Sequence, residues 1–382
     1  MQAEQVQSKL PAVGTTIFTI MSALANEYKA INLSQGFPDF EVSEELISLV
    51  HEYMKKGFNQ YAPMAGHPAL REQIALKTDK IYHRKYNPDT EITITSGGTQ
   101  AIYTAIAAIV KPGDEVIVIE PAYDSYVPAI LLNGGIPVLY SLYGPDFKID
   151  WTEFAKLISH KTKLIIINTP HNPAGTIFTE EDLNSLSMLL KDTGILIISD
   201  EVYEHIIFDG LSHQSVIRFP ELLNRSFVVF SFGKTYHATG WKMGYCLAPE
   251  YLMKEFRKVH QFLVFSSNTP LQHALAEYMK NANYLELPSF YQNKRDFFLE
   301  MLHGSGFSFT PSKGSYFQLL DYSGISNEKD TEFAIKLTRE SGVASIPLSP
   351  FYKTPPDQHY LRFCFAKKSE TLASAAEKLR TL

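Results

Sequence analysis

A chain of 382 residues, 45% hydrophobic and 20% charged, is too long for one simple core and suits a protein of two packed units. Its formal net charge of −6 supplies no basic field to hold nucleic acid or an anionic membrane. Apolar runs such as Ala105–Val110 and Leu164–Ile167 fall far below the roughly 18 residues of a membrane span.

The opening stretch, MQAEQVQSKLPAVGTT, has no basic segment followed by an apolar run, so no secretory leader is expected. Two cysteines, Cys246 and Cys364, read as small buried hydrophobes rather than a disulfide, and the expected setting is the cytoplasm. The 12 histidines show no H-E-x-x-H or comparable ligand spacing, so no metal is expected.

From residue 91 onward, short β-branched runs alternate with amphipathic stretches. Strands are expected at Glu91–Thr95, Glu115–Ile119, Val138–Leu142, Lys163–Ile167, Ile195–Ser199, Ser226–Phe230 and Gly244–Leu247. Helices are expected between them at Gln100–Val110, Asp124–Leu132, Trp151–Ser159, Glu180–Lys191 and Tyr251–Phe262. Apolar strands buried on both faces and joined through helices imply an α/β fold with a mainly parallel seven-stranded sheet flanked by helices. A long helix beginning near Leu271 and ending before Phe307 would lead into a smaller α+β domain. Its strands are expected at Ser315–Leu320, Val343–Ile346 and Tyr360–Phe365, with helices at Asp330–Glu340 and Thr371–Arg380. The expected division is a large domain over 46–280, with 1–45 and 281–382 forming an N-terminal arm and the small domain.

Such sheets bind ligands beyond the carboxyl ends of their strands. After EITIT comes Ser96-Gly97-Gly98-Thr99-Gln100, a tight turn into a helix whose free N–H groups suit a phosphate. After KLIII, the prolines and glycine of Asn168-Thr169-Pro170-His171-Asn172-Pro173-Ala174-Gly175 make a rigid loop that offers one fixed amide, Asn172. After ILIIS, Asp200 is a carboxylate at the end of an apolar strand, where it must be bonded or paired. After SFVVF comes Ser231-Phe232-Gly233-Lys234-Thr235. The glycine that a P-loop needs five positions before Gly233 is Val228, so this is no nucleotide loop. A lysine in that place is easily desolvated, which fits it for covalent catalysis. Each feature alone could be structural. On successive strand ends of one sheet they form a set.

These residues resemble the fold-type I pyridoxal-phosphate enzymes, in particular the class I/II aminotransferases, over nearly the whole chain, from Asn32-Leu33-Ser34-Gln35-Gly36-Phe37-Pro38-Asp39 to Leu361-Arg362-Phe363. The stretch Ser231–Tyr236 with Thr239-Gly240-Trp241-Lys242-Met243-Gly244 is similar to the cofactor-lysine motif of the kynurenine aminotransferase/glutamine transaminase K group, and more so to its bacterial methionine aminotransferases. The resemblance implies that the cofactor is pyridoxal 5′-phosphate, that Lys234 anchors its aldehyde and shuttles the substrate proton, and that Asp200 pairs with the ring nitrogen. It implies that Tyr203 and Asn172 bond the ring's phenolic oxygen and that Tyr123 stacks on the ring. The phosphate would be held by backbone around Gly98, Thr99 and Gln100, by Ser231 and Lys242, and by Tyr61 of a partner subunit in a homodimer. Arg362 would grip the substrate carboxylate with help from Gly36 and Asn172.

Where aspartate aminotransferases commonly carry arginine this chain has Lys242, and no second arginine can be assigned to a distal carboxylate. Ile17, Phe18, Tyr61, Tyr103 and Phe265 fall in pocket-lining segments of the resembled group, an apolar set that favours methionine and aromatic amino acids, kynurenine among them, with glutamine as another candidate. The expected function is ping-pong transfer of an amino group to a 2-oxo acid. A C–S β-lyase on the same fold and a non-catalytic cofactor-binding regulatory domain are the alternatives.

Overall fold

The computed structural model describes residues 7–382. The first residues of the stretch read as lacking a leader, and of the N-terminal arm, lie outside the described residues. The strands are β1 Ile31–Asn32, β2 Ile92–Thr95, β3 Glu115–Glu120, β4 Ile136–Ser141, β5 Thr162–Asn168, β6 Leu196–Asp200, β7 Ser226–Ser231, β8 Gly244–Leu247, β9 Phe317–Asp321, β10 Val343–Ala344, β11 Ile346–Pro347 and β12 Tyr360–Cys364.

Seven of them form one sheet in the order β2-β8-β7-β6-β5-β3-β4. All neighbours are parallel except β8, which runs antiparallel to both β2 and β7. The apolar runs mark these strands because both faces are covered. Along β5, Ile165 and Ile167 enter one core cluster while Leu164 and Ile166 enter the other, so no position of the run can be polar without being buried. The reversed direction of β8 brings Gly244 opposite both Ser231 and Thr95. The chain is so close there that a Cβ on Gly244 would lie 2.7 Å from the Phe230 carbonyl oxygen. The segment before β8 is thereby placed on the same sheet edge as the turns that follow β2 and β7.

Two further sheets flank this one: antiparallel β11-β12-β9, and a parallel pair of β1 with β10. The single strand expected at Val343–Ile346 is thus two strands in different sheets, divided at Ser345. The long helix expected from Leu271 is also two, Thr269–Tyr278 and Leu287–Met301. Pro288 sits in the first turn of the second, where its missing N–H is harmless; inside a continuous helix it would break the ladder. Helices Ile17–Glu27, Glu44–Lys55 and Pro68–Tyr82, which sequence periodicity left unnamed, precede β2. Cys246 and Cys364 are both free and buried. Among the described residues no helix is long and apolar enough to cross a membrane, and no cluster of His, Cys, Asp or Glu could hold a metal ion.

Candidate active site

The carboxyl edge of the large sheet opens into a cavity of about 430 Å³, within the size range of small-molecule sites. At one end β2 runs through Gly97, whose backbone is left-handed (φ 84°), into the helix Gly98–Ile109. Lys242, itself left-handed (φ 54°), arches over that turn: a Cβ on Gly97 would lie 3.4 Å from its Cε and 3.6 Å from its Nζ. A helix N-terminus, Lys242 and Ser231 at the end of β7 together make an anion cradle. The Thr99 hydroxyl lies 3.4 Å from the Tyr123 hydroxyl. The Gln100 side chain turns away from the cavity, accepting from the Ser96 N–H (2.9 Å) and donating to Thr104 (2.5 Å), so it offers the cradle backbone alone.

At the centre is Asp200, 4% exposed. Its Oδ2 accepts from the Tyr126 hydroxyl at 2.6 Å. Burial pushes its carboxyl up to about 6, against that hydrogen bond and the attraction of Lys234. Asn168 fixes the neighbouring loop: its amide donates to the Asp200 carbonyl (2.8 Å) and its oxygen accepts from the Asn172 N–H (2.8 Å).

Lys234 sits on a helical turn, Phe232–Thr235, directly after β7. Its Nζ donates to the Tyr316 hydroxyl at 2.7 Å and to the Gly36 carbonyl at 3.2 Å. Burial pulls its ammonium down to about 8, and the charges of Arg362 and Lys242 pull the same way. Tyr203 is buried beside it, its ring edge-on to that of Tyr316 at 5.0 Å, and burial keeps its hydroxyl protonated.

Arg362, on β12, is 1% exposed. Its Nη1 donates to Asn172 Oδ1 and its Nη2 to the Ser34 carbonyl, both at 2.8 Å. The rings of Phe317 (3.9 Å), Phe18 (5.2 Å) and Phe351 (5.4 Å) surround the guanidinium. Its Nε is buried with no hydrogen-bond partner among the described residues, an arrangement that calls for an anion. Asn172 gives its oxygen to Arg362 and so keeps its amide N–H₂ for a ligand.

The cavity therefore gathers Gly36, Gly98, Thr99, Tyr123, Asn172, Asp200, Tyr203, Ser231, Lys234, Lys242, Arg362 and Phe18. Ile17 packs against the core and Tyr103 against the second core cluster instead of lining the cavity. Tyr61, 80% exposed, and Phe265 stand edge to face at 5.1 Å on the surface, outside the cavity of their own chain. Sequence reasoning missed Tyr126, Tyr316 and Asn168. For Asn168 a signal existed, a polar residue closing an apolar strand. For Tyr316 there was none, since its partners Gly36 and Lys234 are distant in the chain.

A doubly covered sheet with a desolvated lysine, a buried carboxylate, a cradle of free N–H groups and a buried arginine with an unpartnered Nε at one edge suits an enzyme of amino-group transfer. The chain belongs to the family "Aminotransferase class I and II", whose pattern it matches over residues 28–379. It is 52% identical to the methionine aminotransferase of Escherichia coli K12 over 98% of both chains. It is 33% identical to human kynurenine–oxoglutarate transaminase 1, covering 99% of this chain and 98% of that one. A solved E. coli structure, whose reactivity identified a methionine aminotransferase function, superposes with a TM-score of 0.97 at 51% identity over 99% of each chain. These likenesses favour transamination over the lyase and regulatory alternatives.

Proposed function

We propose that this aminotransferase uses pyridoxal 5′-phosphate to move the amino group of methionine, aromatic or similar neutral amino acids, kynurenine and glutamine included, to a 2-oxo acid in a ping-pong cycle. The single observation that carries the reading is the convergence of Lys234, Asp200 and Arg362 in one cavity, with Arg362 Nε buried and unpartnered. Identity to the E. coli methionine aminotransferase supports the donor.

The residues present fit the cofactor. A cradle of Gly98, Thr99, Gln100 backbone, Ser231 and Lys242 suits its phosphate, and Asp200 its ring nitrogen. Tyr203 and the Asn172 amide suit its phenolic oxygen, Tyr123 its ring face and Lys234 its aldehyde. Pyridoxal phosphate, when bound, supplies an aldehyde carbon that carries the amino group and a ring that spreads carbanion charge. Arg362 orients the substrate by its carboxylate, with Gly36 and Asn172 alongside. The Lys234 amine, neutral above pH of about 8, accepts the substrate Cα proton and hands it on. Tyr316 and the Gly36 carbonyl hold that amine in place meanwhile.

The proposal includes a cytoplasmic homodimer in which Tyr61 reaches the partner's phosphate cradle; its exposure and its position outside its own cavity support this. It also includes the division into a cofactor-binding unit, 46–280, and a smaller one built from 1–45 and 281–382. Borohydride reduction followed by peptide mass mapping should place the cofactor's mass on Lys234. A panel of amino and oxo acids should return oxo acid plus a new amino acid from methionine or phenylalanine. Ammonia, pyruvate and a thiol from sulfur amino acids would instead identify a lyase.

A further inference from the structure

We propose that Asp124 is a specificity-determining residue, a carboxylate whose charge rejects substrates carrying a second, distal carboxylate. The inference rests on the neutral-donor reading above and deepens it.

Among the described residues, five formally charged side chains line the cavity: Asp124, Asp200, Lys234, Lys242 and Arg362. Three are hydrogen-bonded and a fourth, Lys242, is folded over a backbone turn. Asp200 is held by Tyr126, Lys242 bends over the Gly97 turn, Lys234 is bonded to Tyr316 and Gly36, and Arg362 awaits an anion. Asp124 is left over. It follows the ring-facing Tyr123, in the turn before the helix Tyr126–Leu132. Acidic residues in such turns often cap the helix, but this helix has no side-chain cap; its N-cap is Ser125. No side chain among the described residues hydrogen-bonds the Asp124 carboxylate; partial burial raises its pKa, and attraction to Arg362 opposes that shift. Once a substrate α-carboxylate occupies Arg362, the formal charge still facing the rest of the substrate is negative.

A neutral side chain is indifferent to that field. A second carboxylate meets it at the cavity mouth, where Asp124 is exposed, with no assigned arginine to compensate. Two like charges about 8 Å apart at an effective dielectric of about 20 correspond to roughly thirtyfold discrimination. Rejection by a misplaced like charge is a recognised route to specificity, separate from the mere lack of an attractive partner.

The test compares the native holoenzyme with Asp124→Asn and Asp124→Ala. The first readout is the ratio of kcat/KM for methionine to that for glutamate. The second is calorimetric binding of two unreactive acids of equal length, glutarate and pentanoate. In both variants each ratio should shift toward the dicarboxylate by about five- to thirtyfold. Raising the ionic strength from about 0.02 to about 0.5 M should narrow the native discrimination and leave that of the variants nearly flat. If both ratios stay within about twofold of native in Asp124→Asn, the assignment is overturned. If the native enzyme shows no preference for methionine, the donor reading fails on its own, and the glutarate–pentanoate comparison still decides the role of Asp124.

Discussion

The segment Asp200–His205 presents acids to two regions of very different character. Toward the cavity it offers Asp200 and Tyr203, whose surroundings leave charge unmet: a carboxyl pushed up to about 6, an amine pulled down to about 8, and an arginine nitrogen with nothing to bond. Away from the cavity it offers Glu201 and Glu204, which are fully partnered. Glu201 accepts from Ser199 (2.8 Å) and the Val216 N–H (3.2 Å) and meets His213 at 2.7 Å. Glu204 pairs with Lys77 and accepts from Tyr82 at 2.5 Å, while Lys77 also donates to Tyr245 at 2.8 Å over the rings of Phe230 and Tyr245. Both regions are buried and both contain ions. The two carboxylates of the second region are fully partnered and hold a shape, although His205 Nε2 and His213 Nδ1 beside them lack partners among the described residues. Perturbed ionisation therefore marks function only where, as in the cavity, the unmet groups face a space that a ligand can enter.

The sharpest break of this contrast is at Lys234. Lys234→Ala should retain the cofactor through the phosphate cradle, Asp200 and Tyr123, yet lose covalent attachment and lower kcat by at least about a thousandfold. Turnover near the native rate would remove the central assignment. In the native enzyme kcat should rise with pH, reach half its plateau near 8 and level off about one unit higher, because burial lowers the lysine and the neutral amine is the competent form. A rise continuing toward 10.5 would show an amine still fully hydrated.

On the partnered side the loss appears in stability. Lys77→Met or Glu204→Leu alone strands one buried ion and should cost about 3–5 kcal/mol in urea unfolding. A loss under about 1 kcal/mol would mean the pair is not held as described. Next in size is the substrate preference: kcat/KM for methionine or phenylalanine should exceed that for aspartate at least tenfold, since no second arginine is assigned to a distal carboxylate. Equal or reversed efficiencies would sink the neutral-donor reading.

The histidines give a smaller, graded effect. Burial holds His171, His237 and His260 down to about 4 and His205 to about 3. The unfolded chain takes up protons below 6.5 while the folded one refuses them. Stability is therefore full above about 6.5 and is lost as pH falls toward 4, by roughly 1–3 kcal/mol for a fully buried imidazole such as His171. A melting temperature independent of pH over that window would contradict the burial of these rings.

How much of this was legible in the sequence follows the same division. The large sheet could be read because strands covered on both faces must be continuous apolar runs, and the residue that ends each run, Asp200 or Ser231, is forced to be polar by the edge it meets. The cavity residues on those ends were therefore visible. Tyr126 and Tyr316 were not, because a buried tyrosine looks like any core aromatic until the fold brings an acid or an amine to its hydroxyl. Lys77 and Glu204 were equally hidden: they lie 127 residues apart and carry no local pattern. The division of Val343–Ile346 between two sheets was invisible for the same reason, since strand partners are tertiary facts.

The finest test asks whether the Lys77–Glu204 pair is needed as charge or only as filled volume. Combining Lys77→Met with Glu204→Leu removes both ions and leaves two side chains of similar size among Phe230, Tyr245 and Tyr284. Replacing a whole buried pair by apolar groups is often neutral, whereas stranding one member is not. The Tyr82 hydroxyl would lose its acceptor, so full recovery is not expected; the double variant should lie within about 2 kcal/mol of native, well above either single variant. A double variant as unstable as the singles would mean that the ions themselves hold the segment behind Asp200. The two faces would then differ in what their charges do and not merely in how many partners each one has.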